Sequence, residues 1–284
     1  MSTNRPILTK DPSGDNLSQK RARVTLPILV RQAMASQRIT YGNLGKELGL
    51  HHRALRHPLG CIGDTLLELS ERWQEDVPPI QGLVVNQSTG MPGGSVNFLY
   101  GQKIDPRQKE IIVQEKLGKI FSYPKWLKVL DELGLSSVES PNPHFEQSVD
   151  RRGESAESEV HKRLKDYIAH HPGAVGLKKS LAPGETEHKL PSGDIPDVLF
   201  QSARCRIAVE VKSYISNEDD LKRGIFQCVK YRAILKACRS LESGTYEVDA
   251  LLAIEGTLPK ELISVKNTLG VKVIENIQVE LATN

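Results

Sequence analysis

Asp197, Glu210 and Lys212 stand within "GDIPDVLFQSARCRIAVEVKS", the stretch from Gly193 to Ser213. All three charges sit among short apolar runs, where an unpaired charge is costly. On a strand, Glu210 and Lys212 are two residues apart and point to one face. Asp197 follows Pro196 at the start of "DVLF", a short strand able to pair beside the first. Two carboxylates that converge repel each other unless a cation lies between them. Hard oxygen donors in small number suit Mg²⁺ (or Mn²⁺), which keeps waters for nucleophile and substrate. A neighbouring lysine orients one of those waters or offsets charge in the transition state. The chemistry this predicts is hydrolysis of a phosphodiester.

The elements that would position these residues are legible around them. "ESAESEVHKRLKDYIAHHPG" predicts a helix with Glu157, Val160, Leu164 and Ile168 on one face, stopped by Pro172-Gly173. Strands are expected at "DVLF" and "RIAVEVK", a long helix over roughly Glu218 to Leu241, a buried strand at "VDALLAIE", a helix at "PKELISVKNTL" and a last strand at "VKVIE". Helix, strands, helix, strand is an α/β layer covered on both faces. Asp194, after Gly193, reads as a turn residue. Glu157 and Glu159 compete for an acidic role on the first helix, and Glu157 shares the apolar face. Tyr231 is either core, with Gln227 as its hydrogen-bond partner, or part of the site.

Residues 154–255 resemble the PD-(D/E)xK nuclease superfamily. Pro196-Asp197 matches the PD element and "EVK" at Glu210–Lys212 the (D/E)xK element, with twelve residues between Asp197 and Glu210. "QCVKY", fifteen residues after Lys212, matches the QxxxY motif of a subset of these enzymes through Gln227 and Tyr231. At i and i+4 the two lie on one helix face, where they can meet substrate or position Lys212. The resemblance implies a restriction-endonuclease-like αβββαβ core. It also implies Mg²⁺ held by Asp197 and Glu210 with the carbonyl of Val211, Glu157 as a helper, and Lys212 acting on the attacking water. The expected activity is a metal-dependent DNA endonuclease, of the kind found in restriction or anti-phage defence. A DNA-binding regulator with an inactive nuclease-like fold and an RNase toxin are the rival readings.

The first half has a different pattern. Thr25 is a candidate cap for a helix with Leu26, Leu29, Val30 and Ala33 on one face. Thr40 is a second cap, before Leu44 and Leu48. "HHRALRHPLGCIGDTLLELSERW" reads as a helix interrupted around Pro58 to Gly63, and "QGLVVNQSTGMPGGSVNFLY" as a hairpin. Three helices and a hairpin make a winged-helix layout. Ile39 to Asp64 is similar to the DNA-binding part of alkylguanine-DNA alkyltransferases. Their Pro-Cys-His-Arg acceptor motif is absent, and Cys61 sits in "GCIG", so alkyl transfer is not expected. His51, His52, Arg53 and Arg56 fall at the start of the third helix, where such a module presents its recognition element.

The expected organisation is a flexible N-terminus over 1–22, a smaller winged-helix domain over 23–135, a linker over 136–152 and the nuclease domain over 153–284. The formal charge is only +3, so local clusters and not the whole-chain balance carry the case for DNA. Four scattered cysteines without metal spacing predict reduced thiols and a cytoplasmic setting. No run approaches a membrane span, and "TGMPGG" lacks the Lys-Ser/Thr of a phosphate loop, so neither membrane nor nucleotide cofactor is expected. A double-strand cut needs two active sites, which makes a homodimer the expected assembly.

Overall fold

The computed structural model describes residues 6–7, 10–93, 106–138 and 159–279, with only the backbone of 106–109. Two compact units emerge. The first comprises Met1–Asn142 with Ile263–Gly270, and the second Pro143–Leu262 with Val271–Asn284.

In the first unit, α1 (Leu17–Met34) starts where Asn16 accepts from the N–H groups of Ser18 and Gln19 while the Gln19 side chain accepts from the Asn16 N–H. This reciprocal box satisfies donors the helix itself leaves open. It displaces the expected cap: Thr25 lies two turns inside α1, and its hydroxyl donates to the Arg21 carbonyl at 2.7 Å. The predicted apolar face does form, with Leu26, Leu29, Val30 and Ala33 all buried. β1 (Ile39–Thr40) follows, and Thr40 caps α2 (Tyr41–Leu48) by accepting from the Asn43 N–H at 3.1 Å. Gly49, at φ +64°, ends that helix in the left-handed region.

A 3₁₀ turn over His52–Leu55 leads into α3 (Arg56–Trp73). The predicted interruption at Pro58–Gly63 does not occur. Pro58 is the third residue of α3, in the turn whose N–H groups have no helical acceptor, so its missing donor costs nothing. β2 (Val84–Val85) pairs parallel with β1. Val85 bridges Pro92 across a turn closed by Asn86 N–H to Met91 O at 2.8 Å, the root of the expected hairpin. Residues 94–100 of that hairpin lie outside the described residues. Helices α4 (Pro106–Ser122) and α5 (Trp126–Glu132) add to the three predicted. Leu29, Ile62, Leu66, Leu83, Ile120 and Val129 belong to one apolar core. Arg31, 2% exposed, forks onto both Glu47 oxygens at 2.7 and 3.0 Å and ties α1 to α2.

The second unit is a four-stranded mixed sheet in the order β3-β4-β5-β6 with helices packed on it. α6 (Glu159–His170) precedes β3 (Val198–Gln201) and β4 (Cys205–Lys212), which pair antiparallel. α7 (Glu218–Leu241), β5 (Glu247–Ile254) and β6 (Lys272–Ile274) follow, with β4, β5 and β6 parallel, and α8 (Lys260–Thr268), between β5 and β6 in the chain, belongs to the first unit from Ile263 on. Where three strands were expected before α7, the described residues hold two strands and one isolated bridge, Glu185 to Leu199. Pro183 and Gly184 just before it, and Pro191 after, keep that segment from extending. Leu164 and Ile168 of α6 pack with Val209, Val211, Leu251 and Ala253 on one face of the sheet. The described residues contain no helix long and apolar enough to cross a membrane.

Gly45 sets how tightly the α2 turn closes. A Cβ there would fall 2.6 Å from the Leu50 carbonyl oxygen, a backbone atom that cannot swing aside. At Gly42 in the same helix the nearest atom is 3.9 Å away. Gly45→Ala should therefore cost about 1–3 kcal/mol of overpacking, more than the ~1 kcal/mol gain in helix propensity, whereas Gly42→Ala should gain up to that amount. Urea unfolding of the two variants checks this; equal midpoints would remove the close-packing argument.

Candidate active site

The site grows out of the β3–β4 register. Val198 lies opposite Val209, and one more step of the same register sets Asp197 opposite Glu210. Pro196 has no N–H, so the backbone ladder stops there. The Val211 N–H, which the ladder would otherwise use, donates instead to Asp197 Oδ2 at 2.7 Å. A strand sets the N–H and C=O of one residue on the same edge, so the Val211 carbonyl also faces the Asp197 side.

Glu210 is 3% exposed, on the β4 face covered by α7. One oxygen accepts from Lys212 Nζ at 2.6 Å and the other from the Tyr231 hydroxyl at 3.3 Å. Tyr231 also reaches the Ile195 carbonyl, at 3.5 Å. The helix can come this close because Gly224 of α7 faces the pair: a Cβ there would lie 2.8 Å from Leu252 Cδ1, 3.3 Å from Lys212 Cε and 3.5 Å from Glu210 Cγ. Asn217 fixes the start of α7 by exchanging side-chain and backbone hydrogen bonds with Asp220, so Gly224, Gln227 and Tyr231 arrive in phase on the sheet.

The electrostatics follow from this packing. Burial, and then the charge of Asp197, push the Glu210 carboxyl well above the ordinary carboxylate range, against the pull of Lys212 and Tyr231. For Lys212 burial works downward, but Glu210 and then Asp197 outweigh it and hold the ammonium above the usual lysine value. Burial, then the charges of Glu210 and Asp197, raise Tyr231 far enough to keep its phenol a donor. Burial and then Glu210 do the same to the thiol of Cys228, which lies fully buried behind the site. All four cysteines are free thiols.

Asp197, Glu210, Lys212 and Tyr231 thus converge, with the Val211 backbone beside them. Gln227 lies one turn before Tyr231, and its Oε1 is buried with no hydrogen-bond partner among the described residues. Glu157 lies outside the described residues. Asp194 sits in the turn after Gly193, held by Lys230 at 2.5 Å and Ser192 at 2.8 Å. His51, His52, Arg53 and Arg56 belong to the first unit, all exposed. His52, Arg53 and Arg56 line a shallow groove of about 460 Å³ with Tyr41, and the His51 and His52 rings lie 4.1 Å apart.

Sequence reasoning missed His161. Its Nε2 donates to Asp197 Oδ1 at 3.4 Å from α6. The signal was present: His161 is three residues before Leu164 and seven before Ile168, on the buried face of the helix. Gly224 carried no comparable signal.

A divalent cation fits the donor set. Asp197 stands just before β3 and opposite Glu210 of β4, Glu210 is buried with its proton affinity raised by that burial and then by Asp197, and the amide oxygen of Gln227, one turn before Tyr231, has no donor among the described residues. Among the described residues no group of three His, Cys, Asp or Glu side chains is placed to hold a metal. The carbonyl of Val211, water and substrate would therefore complete the shell, which suits Mg²⁺. No protein-family description matches the chain, and no curated protein or solved structure does either.

The pH dependence follows with a definite sign. A carboxyl whose folded pKa is raised favours the folded state only while protonated. Its contribution is present below the ordinary carboxylate range and is lost as pH rises through the raised value. Metal-free wild type should therefore lose stability relative to Glu210→Gln between pH 4 and pH 8, by about 1–3 kcal/mol. Chemical denaturation of both proteins in EDTA across that range reads the gap; a gap that stays constant with pH would contradict the buried, strained carboxylate.

Proposed function

We propose that the protein is a metal-dependent nuclease of the PD-(D/E)xK type that hydrolyses phosphodiester bonds in DNA. The observation that carries this reading is Asp197 opposite a buried Glu210 whose one cationic hydrogen-bond partner among the described residues is Lys212. A purely structural sheet gains nothing from two opposed carboxylates, because like charges in directly opposite positions destabilise it. Asp197, Glu210 and the Val211 carbonyl would hold Mg²⁺ or Mn²⁺. When bound, that ion would polarise the phosphate and lower the pKa of a water nucleophile. The chain's own residues do the positioning. His161 and the Val211 N–H fix the two oxygens of Asp197, and Tyr231 and Lys212 fix those of Glu210. The Lys212 ammonium, held at the rim of the burial, orients the attacking water and offsets charge developing on the phosphate. The buried acceptor of Gln227 receives a water. A restriction-endonuclease-like core and a role in anti-phage defence belong to the same reading.

The first unit supplies DNA affinity in this proposal. Arg53 and Arg56 share a face, both are exposed, and they flank a groove with His52 and Tyr41. Contacts of that kind position a protein on phosphates, while base edges supply the specificity.

Two experiments test these assignments. Asp197→Ala, Glu210→Ala and Lys212→Ala should each slow plasmid nicking at least ~10³-fold with folding intact. EDTA should abolish nicking in wild type, Mg²⁺ or Mn²⁺ should restore it, and Ca²⁺ should permit binding without turnover. Wild-type nicking by Lys212→Ala, or full activity in EDTA, refutes the mechanism, and cutting of RNA alone gives the RNase reading. Separately, Arg53→Ala with Arg56→Ala should weaken duplex binding and reduce its salt dependence by about one to two phosphate contacts, with turnover on saturating DNA little changed. An unaltered salt titration would move the DNA anchor elsewhere.

A further inference from the structure

Asp197 stands beyond the end of the β3–β4 ladder, because Pro196 has no N–H and the Val211 N–H goes to the Asp197 carboxylate itself. Its place therefore depends on the chain that precedes it. The far part of that loop has its own anchors. Glu185 exchanges both backbone bonds with Leu199, at 2.9 and 2.8 Å, and Glu187 accepts from Lys165 of α6 at 2.8 Å. The near part is a turn closed by Gly193 N–H to the Leu190 carbonyl and Leu190 N–H to the Asp194 carbonyl, each at 2.8 Å. Two successive residues of α7 hold this turn. Lys230 Nζ donates to Asp194 Oδ1 at 2.5 Å, and the Tyr231 hydroxyl reaches the Ile195 carbonyl at 3.5 Å. The two ties are not equivalent. A tyrosine hydroxyl has one hydrogen, which Tyr231 shares between Ile195 and Glu210, whereas an ammonium has three. The other oxygen of Asp194 accepts from Ser192 at 2.8 Å, which aims the carboxylate at Lys230. The Lys230 side chain is 58% exposed, and so exposed an ion pair adds little to folding.

From these contacts we infer that Lys230 is a positioning residue for the metal site: through Asp194 it sets the turn that delivers Asp197 opposite Glu210. The inference rests on the nuclease reading and adds to it a residue that touches neither the ion nor the substrate. Pro196 has a fixed φ, so a shift of Ile195 passes on to Asp197 instead of being absorbed between them. Two carboxylates that repel each other drift apart unless something holds them. Here α7 holds both, with Tyr231 on Glu210 and Lys230 on the turn before Asp197. Without Lys230, a cation would have to draw Asp197 back into place at the expense of its own binding. Residues one layer behind a metal ligand typically change metal affinity by about 10–100-fold. Lys230 acts through a turn, which sets its effect at the lower end of that range.

The test uses the full-length protein without DNA. Electron paramagnetic resonance reads the binding of Mn²⁺, and NMR in EDTA reads hydrogen exchange at the Val211 amide, which donates to Asp197. Lys230→Ala should weaken Mn²⁺ binding about 10-fold and speed exchange at Val211. The amides of β5 should stay protected, and the melting temperature should change little. Asp194→Asn removes the charge from the other side of the pair and should have the same effects. The double variant should be no worse than either single one, because all three lose one shared contact. Lys230→Arg keeps a cation and should bind Mn²⁺ like wild type. Wild-type Mn²⁺ affinity or wild-type exchange at Val211 in Lys230→Ala overturns the inference; unchanged Mn²⁺ affinity with weakened duplex binding makes Lys230 a phosphate contact instead. Glu210→Ala keeps the two readings apart. If it loses Mn²⁺ while Lys230→Ala does not, only the positioning role falls. If it binds Mn²⁺ as wild type does, the nuclease reading falls as well.

Discussion

A carboxylate buried beside another carboxylate dominates the second unit. Removing an ion of this size from water costs several kcal/mol even after relaxation, and a single partner recovers the cost only with good geometry. Glu210 has that geometry on one side, with Lys212 at 2.6 Å and Tyr231 at 3.3 Å. Asp197 undoes part of the gain by standing opposite in the sheet. The surroundings are shaped by the need to hold this arrangement. Pro196 ends the ladder so that the Val211 N–H is left for Asp197, and Gly224 admits α7 closely enough to bury the pair. The box at Asn217 and Asp220 phases α7 so that Tyr231 arrives over Glu210.

The first unit shows what buried charge looks like without such tension. Arg31 and Glu47 meet as a fork, and Arg23 pairs with Asp15 while also donating to the Leu133 carbonyl at 3.2 Å. Each cation there has a carboxylate, and no second carboxylate opposes it within the pair. These bonds tie α1 to its neighbours and serve packing. The tension in the second unit is electrostatic, with two carboxylates opposed and one lysine between them and solvent. This contrast separates structural charges from the candidate catalytic ones more sharply than burial does.

The exposed chemistry is divided between the two units. On the first, Arg53 and Arg56 stand on the start of α3 and on the 3₁₀ turn before it, which Gly45 and Gly49 bring round from α2. On the second, Tyr214 and Ile215 follow directly on the strand that carries Glu210 and Lys212.

Local signals determined much of this molecule. Repeating apolar residues marked α1 and α6, Thr40 marked the start of α2, and apolar runs bounded by turn residues marked β3 to β5. All of these act within a few residues, so one stretch of chain contains their cause. Asp197, Glu210, Lys212, Gln227 and Tyr231 could also be picked out, because strand period and helix pitch already give each a direction. Two helix starts turned on other local contacts, and packing between distant residues decided the rest. Asn16 took the cap that Thr25 offered, because a reciprocal box satisfies more donors than a lone hydroxyl. Pro58 left α3 unbroken because it fell in the first turn, whose position depends on where the 3₁₀ turn ends. The register that puts Asp197 opposite Glu210, the approach of His161 and the gap at Gly224 exist only once strands and helices have packed. No local propensity encodes them, since their partners lie tens of residues apart and meet only when the core closes.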